Sequence, residues 1–253
     1  MGAEVSNVVL ITGAAGGLGS CMARHFAAAA AHVIVTDVHE AQGQALAREL
    51  GSETGRASFI RLDVTNESDW SAAFASAAAG PGAINVLINN AGWYQPNIPL
   101  KDMALAIWRR HFEINADGAF LGCREALRSM EGRGGVILNI ASGAGVTAFP
   151  TGGAYCASKA AMLMLTRVAA KAGGPQGIRV NAILPGAVST DMLRGNILPG
   201  QTEAEFIDVM RAHHPLGRLA AAEDIARAAV FLCSDEAGAI SGACLPVDAG
   251  ATA

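Results

Sequence analysis

The chain has 253 residues, of which 51% are hydrophobic and 16% are charged, and 18 basic against 22 acidic residues give it a net charge of −4. A chain this apolar can bury a core, which excludes intrinsic disorder, and its 30 glycines follow no three-residue period, which excludes a collagen-like fibre. The sequence has no basic block of the kind that binds a nucleic-acid backbone.

A long uncharged stretch from Gly134 to Ser158 raises the question of a membrane span. It contains Asn139, Pro150 and several glycines, whose polar groups would stay unsatisfied in lipid, so we reject a span. The N-terminus shows no basic segment before an apolar core, and thus no signal peptide. The five cysteines are odd in number and form no CxxC pair. We therefore expect a cytoplasmic protein without a bound metal, a membrane or a nucleic-acid partner.

Apolar segments of strand length alternate along the chain with longer helical segments. The predicted strands are Asn7–Thr12, His32–Thr36, Ser58–Leu62, Asn85–Ile88, Gly135–Ile140, Ile178–Leu184 and Ala243–Val247. The predicted helices are Ser20–Ala31, Ala41–Leu50, Glu67–Ala79, Leu100–Met130, Ala154–Ala172, Thr202–Ala212 and Glu223–Cys233. This alternation predicts a single-domain α/β fold of Rossmann type, a doubly wound parallel sheet with helices on both faces. The domain would span residues 1–253, with a mobile lid over the substrate at 189–215, where glycine and proline interrupt short apolar pieces.

A glycine-rich turn, Thr12–Gly19, follows the first predicted strand and opens the first helix. Glycines let the backbone approach a pyrophosphate closely, and the free N–H groups of the helix N-terminus attract the anion. Asp37 ends the second strand, where a carboxylate accepts a hydrogen bond from an adenosine ribose 2′-hydroxyl and repels a 2′-phosphate. Neither Arg nor Lys occurs in the turn or at positions 38 to 41. The sequence therefore predicts dinucleotide binding, with NAD favoured over NADP.

Tyr155 and Lys159 are four residues apart in a predicted helix, so their side chains share one face. A free tyrosine has a pKa of about 10, too high for acid–base work near neutrality, and a nearby cation lowers it. Ser142 follows the strand Gly135–Ile140, at the carboxyl end where parallel sheets place their sites. The three side chains predict a centre for general acid–base chemistry.

In this order the residues resemble the short-chain dehydrogenase/reductase family, in its compact NAD-dependent form, over the whole chain. The matching positions are Thr12, Gly13, Gly17 and Gly19 of the glycine motif, Asp63 with Val64, the run Asn89-Asn90-Ala91-Gly92, Asn115, the set Ser142, Tyr155 and Lys159, and Pro185-Gly186 with Thr190. The sequence departs from the family pattern at Ala249, where a second glycine is more usual, and at Gly173-Gly174-Pro175, which ends the helix of Tyr155 early. Neither departure touches the acid–base residues, so we expect an effect on subunit packing only.

The resemblance implies hydride transfer between a nicotinamide and a carbinol or carbonyl carbon, with Tyr155 as general acid in reduction and general base in oxidation. Lys159 would bind the nicotinamide ribose and, with the positive charge of the cofactor, lower the pKa of Tyr155. Ser142 would hold the substrate oxygen, and Asn115 would fix a helix irregularity and a water that relays protons. The cofactor-binding residues so implied are Gly13, Gly17, Leu18, Gly19, Asp37, Asp63, Val64, Asn90, Ala91, Gly92, Tyr155, Lys159, Pro185, Gly186, Val188 and Thr190.

The expected substrate is a small hydrophobic secondary alcohol or its ketone, of aromatic, alicyclic or steroidal structure. The pocket residues are expected from segments that line the family's pocket, namely Trp93, Tyr94, Ala144, Phe149, Met192 and Leu193. Segments 93–96 and 143–154 contain neither Arg nor Lys, which disfavours a phosphorylated or strongly anionic substrate.

Two other functions remain open on the sequence, a 3-oxoacyl-thioester reductase of fatty-acid type and a non-catalytic NAD-binding protein. The resemblance also implies a homotetramer, or a homodimer, formed through the helices in 100–130 and 154–172. The six histidines show no metal-ligand spacing. We expect His213 and His214 in the lid or its hinge and the other four at the surface.

Overall fold

The computed structural model describes residues 8–253, so Asn7, with which the first predicted strand begins, lies outside the described residues. Seven strands form one sheet: β1 Val8–Thr12, β2 His32–Asp37, β3 Ala57–Arg61, β4 Val86–Asn89, β5 Gly135–Ile140, β6 Ile178–Pro185 and β7 Cys244–Val247. Every neighbouring pair is parallel, and the order across the sheet is β3-β2-β1-β4-β5-β6-β7. The predicted doubly wound parallel sheet is confirmed.

The helices connect successive strands and cover both faces of the sheet. They are α1 Gly17–Ala28, α2 Glu40–Thr54, α3 Glu67–Ala79, α4 Leu105–Phe112, α5 Gly118–Ser129, α6 Gly153–Gly173, α7 Asp191–Arg194, α8 Glu203–Ala212 and α9 Ala222–Cys233. Local sequence explains their ends. For example, α2 runs four residues past its predicted end and stops where Gly55 takes a left-handed conformation with φ +68°.

Each central strand is buried on both sides because its alternate side chains enter two different cores. In β1, Val9 and Ile11 join the core formed with α1, α2 and α9, whereas Leu10 joins the core formed with α3, α5 and α6. Burial on both sides removes the usual alternation of apolar and polar residues from these strands. This is why they stand out in the sequence as continuous apolar runs.

The segment Leu100–Met130, predicted to be largely helical, is helical in four successive pieces. The structure divides it into a short 3₁₀ turn at Leu100–Asp102, α4, a π-helical turn at Glu113–Asp117, and α5. Helix periodicity carries no signal for the extra residue that a π turn inserts, because the apolar pattern continues on both sides. The π turn places Asn115 at its centre, which matters for the site.

The order in which successive strands are added to the sheet reverses next to β1, and this reversal determines where the sheet forms a crevice. From β1 the chain runs outward to β2 and β3, and then crosses back to β4 on the other side of β1. In such sheets a crevice opens outside the carboxyl ends of these strands. The segments after β1, β2, β4, β5 and β6 all meet there.

Candidate functional site

A cleft of about 1380 Å³ lies at this carboxyl edge. It is lined by all the predicted cofactor residues except Gly19, and by all six predicted pocket residues. Ser142, Tyr155 and Lys159 also line it. Gly19 and Asn115 are buried behind the wall, where they shape the backbone.

The glycine-rich turn is held against the segment after β4. Gly13 has φ +59°, and a Cβ there would lie 2.9 Å from the Cα of Ala91, so only glycine fits. Asn90 donates from Nδ2 to the carbonyls of Thr12 (2.9 Å) and Gly13 (3.0 Å). Thr12 Oγ1 accepts from the N–H groups of Asn90 and Ala91, both at 3.0 Å. The two motifs therefore form one rigid floor of the cleft.

Asp37 lies at the end of β2 and is only 8% exposed, with its carboxylate at the cleft. Its Oδ2 accepts from the N–H of Ala15 in the glycine-rich turn at 3.0 Å, and its Oδ1 accepts from the N–H of His39 at 3.0 Å. The side chain is thus fixed in one orientation beside the turn. A carboxylate held this way can accept a hydrogen bond from a hydroxyl group, and it presents negative charge to a ligand bound at that end of the cleft.

The other polar groups at this end of the cleft come from the loop after β3. Asp63 accepts at Oδ1 from the N–H of Thr65 (3.0 Å) and from its hydroxyl (2.8 Å). Burial alone would raise the pKa of Asp63, but these hydrogen bonds and the nearby Arg110 and Arg61 outweigh it and lower that pKa. Arg61 and Arg110 also line the cleft, so its charge at this end is mixed.

Ser142, Tyr155 and Lys159 converge between the two ends of the cleft. Lys159 is buried and donates from Nζ to the carbonyl of Ile140 at 2.9 Å, and Nζ lies 5.8 Å from the centre of the Tyr155 ring. Burial lowers the pKa of Lys159 to about 8. Burial also raises the pKa of Tyr155, and a hydrogen bond with Ser142 acts in the opposite direction. In the protein alone, burial outweighs the hydrogen bond with Ser142.

Asn115 makes three hydrogen bonds from the centre of the π turn. Its Oδ1 accepts from the N–H of Trp93 at 2.7 Å, and its Nδ2 donates to the carbonyl of Trp93 at 2.9 Å. Nδ2 also lies 3.0 Å from the hydroxyl oxygen of Ser158, in the helix of Tyr155 and Lys159. The predicted helix irregularity is present, and it joins the segment after β4 to α6.

Aromatic side chains form one wall of the cleft, on the side of the predicted substrate pocket. The Tyr94 ring lies 4.9 Å from the ring of Tyr155 and 6.3 Å from that of Phe149. Its hydroxyl donates to Oδ1 of Asn196 at 2.9 Å, a residue in the predicted lid. Burial raises the pKa of Tyr94 to about 12, so its phenol stays protonated at neutral pH.

Sequence reasoning missed the part of the wall supplied by α8. This helix lines the cleft with Phe206 and, three and four residues later, Val209 and Met210, and His213 directly after its end lines the cleft as well. The apolar part of that spacing is visible in the sequence and could have identified the face. Asn196 was also missed, because its bond to Tyr94 joins positions 102 residues apart.

One histidine differs from expectation. His111, predicted at the surface, is 1% exposed and contacts the rings of Trp93, Tyr94 and Tyr155. His214 lies in the segment 189–215, as expected, and is buried at the cleft. Within residues 8–253, no cluster of three or more His, Cys, Asp or Glu side chains is arranged to hold a metal, and the five cysteines are unpaired. No helix in that same range is long and apolar enough to cross a bilayer.

Comparisons with known proteins agree with this geometry. A family model described as enoyl-(acyl carrier protein) reductase matches residues 13–252. The chain is 40% identical over 252 residues to cis-4-hydroxycyclohexanecarboxylate dehydrogenase of Sinomonas cyclohexanicum, covering 99% of this chain and 98% of the relative.

Two solved structures show the same fold. One is a gluconate 5-dehydrogenase from Burkholderia cenocepacia in complex with NADP and tartrate, with a TM-score of 0.92, 32% identity, and coverage of 98% of this chain and 96% of that one. The other is a 3-ketoacyl-(acyl-carrier-protein) reductase from Brucella melitensis complexed with NADH, with a TM-score of 0.90, 31% identity, and 98% coverage of both chains. With its glycine-rich turn, its seven-stranded parallel sheet and these relatives over nearly its full length, the chain belongs to the short-chain dehydrogenase/reductase family.

Proposed function

We propose that this protein interconverts a hydrophobic, alicyclic secondary alcohol and its ketone with a nicotinamide cofactor, preferably NAD. The observation that carries the proposal is the convergence of Ser142, Tyr155 and Lys159 in a cleft that also contains the glycine-rich turn and Asp37. The relative from Sinomonas cyclohexanicum, by its name a dehydrogenase of a hydroxylated cyclohexane ring, supports the alicyclic class.

The residues present fit a dinucleotide. Gly16 and Gly17 line the cleft without a side chain, so a pyrophosphate can approach their backbone closely, and Asp37 lines the same cleft near ribose hydroxyls of a bound dinucleotide. Lys159 has one hydrogen bond within the described residues, to Ile140, so two of its three N–H donors are free for the nicotinamide ribose. When bound, the nicotinamide would supply the hydride acceptor or donor.

The chain itself would manage the proton at the substrate oxygen. In the direction of oxidation, Tyr155 takes the hydroxyl proton as general base, and in reduction it returns that proton as general acid. Ser142 holds the same oxygen by a hydrogen bond, and its contact with Tyr155 favours the phenolate. The ammonium of Lys159 near the ring acts in the same direction. Asn115 keeps the backbone after β4 and the helix of Tyr155 in fixed relation.

The preference for a hydrophobic substrate rests on the rim of the cleft. Phe149, Met192, Leu198 and Val209 all line it and are all exposed, so a bound apolar ring would remove their surface from water. Arg194 does not line the cleft, because it is paired with Asp191 and Glu203. We propose that the segment 189–215 acts as a lid over this rim.

Exposed apolar side chains on two helices support assembly of a homo-oligomer, and the five unpaired cysteines support a place in the reducing cytoplasm. Phe120 of α5 and Met164 and Val168 of α6 are large and exposed, and α5 contacts α6. Such side chains on adjacent helices can be covered by the same surface of a second copy. We propose a homotetramer, with a homodimer as the smaller alternative.

The test of the reaction combines a substrate panel with Tyr155→Phe. The panel contains cyclohexanols with and without a carboxylate, a hydroxysteroid, a sugar acid and a 3-oxoacyl thioester, each assayed with NAD(H) and NADP(H). We expect the best kcat/KM on an alicyclic alcohol with NAD. Tyr155→Phe should lower kcat by a factor of at least about 10² while NADH binding is kept, because general acid–base catalysis contributes on this scale.

Three results would contradict the proposal. Best turnover on the acyl thioester would favour the fatty-acid type of reductase, to which the similarity with the Brucella melitensis enzyme lends support. Unchanged turnover in Tyr155→Phe would remove Tyr155 from its role. NADH binding with no turnover on any member of the panel would favour a non-catalytic protein.

A further inference from the structure

Each ring nitrogen of His111 has its own hydrogen-bond partner, and together the two partners fix the position of the side chain. It lies near the end of α4, where Nδ1 is 2.9 Å from the carbonyl oxygen of Ile107, one turn earlier in the helix. Because a carbonyl only accepts, Nδ1 carries the proton. Nε2 accepts from the N–H of Gln95 at 3.3 Å. Both contacts are satisfied only by the neutral imidazole with its proton on Nδ1, and burial lowers the pKa of His111 and so favours the neutral form.

His111 and Asn115 lie about one turn apart and hold the same short stretch of backbone. Asn115 bonds the N–H and the carbonyl of Trp93, and His111 bonds the N–H of Gln95. Between the two lies Tyr94, whose ring is 4.9 Å from that of Tyr155. The wall facing the reacting tyrosine is therefore fixed at both of its ends by side chains from one stretch of helix.

The ring of His111 also packs directly on this wall. Its centre lies 4.6 Å from that of Trp93, and it meets the rings of Tyr94 and Tyr155 at 6.3 and 6.5 Å in edge-on geometry. A side chain of similar shape without an acceptor would keep this packing but leave the N–H of Gln95 without its partner. An unsatisfied buried donor destabilises the conformation that buries it.

We propose that His111 is a positioning residue that fixes segment 93–95, the substrate-facing wall, and thereby sets the fit of the substrate beside Tyr155. The proposal rests on the function proposed above, because it concerns the wall of that site. His111 touches neither the reacting atoms nor the cleft, so it acts through Tyr94 and Trp93. Its contribution is the acceptor at Nε2.

Paired variants separate the acceptor from the packing. His111→Phe keeps an aromatic ring and removes the acceptor, and His111→Gln keeps an acceptor on a flexible chain. We expect a KM for the best alicyclic alcohol at least tenfold higher in His111→Phe, with kcat lowered less and the NADH Kd unchanged, and a partial return toward the wild-type KM in His111→Gln. His25→Phe is the matched control, since His25 makes the same Nδ1 contact within its own helix, 3.0 Å to Cys21, away from the wall.

A second measurement needs no substrate. With ¹⁵N-labelled histidine, the signal that disappears in His111→Gln should show a protonated Nδ1 and an unprotonated Nε2 at pH 7, as the two contacts require. A wild-type KM in a folded His111→Phe, an equal rise of KM in both variants, or an Nε2-protonated or charged ring would each overturn the proposal. Failure of the proposed function would appear differently, as an absence of alcohol turnover by the wild-type protein.

Discussion

At the scale of one residue, Ala249 illustrates why the family usually has a glycine at this position. The sequence identifies this position as a departure, and the structure places it at φ +54°, in the left-handed region. A non-glycine residue there costs about 1–2 kcal/mol because its Cβ approaches the following carbonyl oxygen. The strain is held in place by Asp248, which accepts from the N–H groups of Gly250 and Thr252. Thr252 in turn lines the cleft, so the strained turn supports the site.

Ala249→Gly should therefore stabilise the protein. Relief of the left-handed strain, less the greater chain entropy of glycine, predicts a gain of about 0.5–1 kcal/mol in the free energy of unfolding. Thermal and urea unfolding measure it, and a gain of this size raises Tm by roughly 1–4 °C in a chain this long. Ala72→Gly, at an exposed position inside α3, is the control and should lose about 1 kcal/mol. Equal losses in the two variants would contradict the strain.

At the scale of one element, α8 combines a well-capped N-terminus with an apolar face that is only partly buried. Its first turn is fixed by Thr202 and Glu205, each of which bonds the backbone of the other. Phe206 is buried, whereas Val209 is 49% exposed and faces the cleft. The helix thus forms without the help of Val209, which leaves that side chain available to an apolar ligand.

Val209→Asn should weaken binding of a hydrophobic alcohol while leaving the fold intact. Loss of the apolar contact is worth on the order of 1 kcal/mol, which corresponds to a KM about five- to tenfold higher. Steady-state kinetics measure the change, and kcat for the saturated enzyme should move little. Ala204→Asn, exposed on the same helix and outside the cleft, is the control. If the two variants had the same KM, α8 would not contribute to the substrate site.

At the scale of the whole molecule, the order of the strands brings distant motifs to one edge. The segments that meet there are the glycine-rich turn after β1, Asp37 at the end of β2, the Asn90 segment after β4, Ser142 after β5 and Pro185 at the end of β6. A ligand that lies along this edge contacts segments from nearly the whole length of the chain. Because these contacts exist only in the folded state, such a ligand stabilises the entire fold.

NADH should therefore raise the stability of the protein more than NADPH at equal concentration. At a free concentration of about a hundred times its Kd, a ligand adds about 2.7 kcal/mol to the free energy of unfolding. A thermal-shift titration with both nucleotides measures the difference. Asp37→Ala should reduce it, because the carboxylate repels a 2′-phosphate and accepts from a 2′-hydroxyl. A larger shift with NADPH in the unaltered protein would contradict the NAD preference and direct attention to Arg61 and His39, which also line that end.

The sequence by itself determined the strands, most helices, the family and the reaction class, because these depend on apolar runs and on motifs whose spacing lies within one element or turn. Gly135–Ile140 and Glu67–Ala79 were predicted with their observed bounds. Only the tertiary structure decided the burial of His111, the bond from Tyr94 to Asn196, and the π-helical form of the irregularity that the family resemblance implies at Asn115. Each depends on a contact between segments far apart in the chain. Local propensity says nothing about such contacts, and a histidine that the sequence assigns to solvent is, in the fold, buried against the aromatic wall of the cleft.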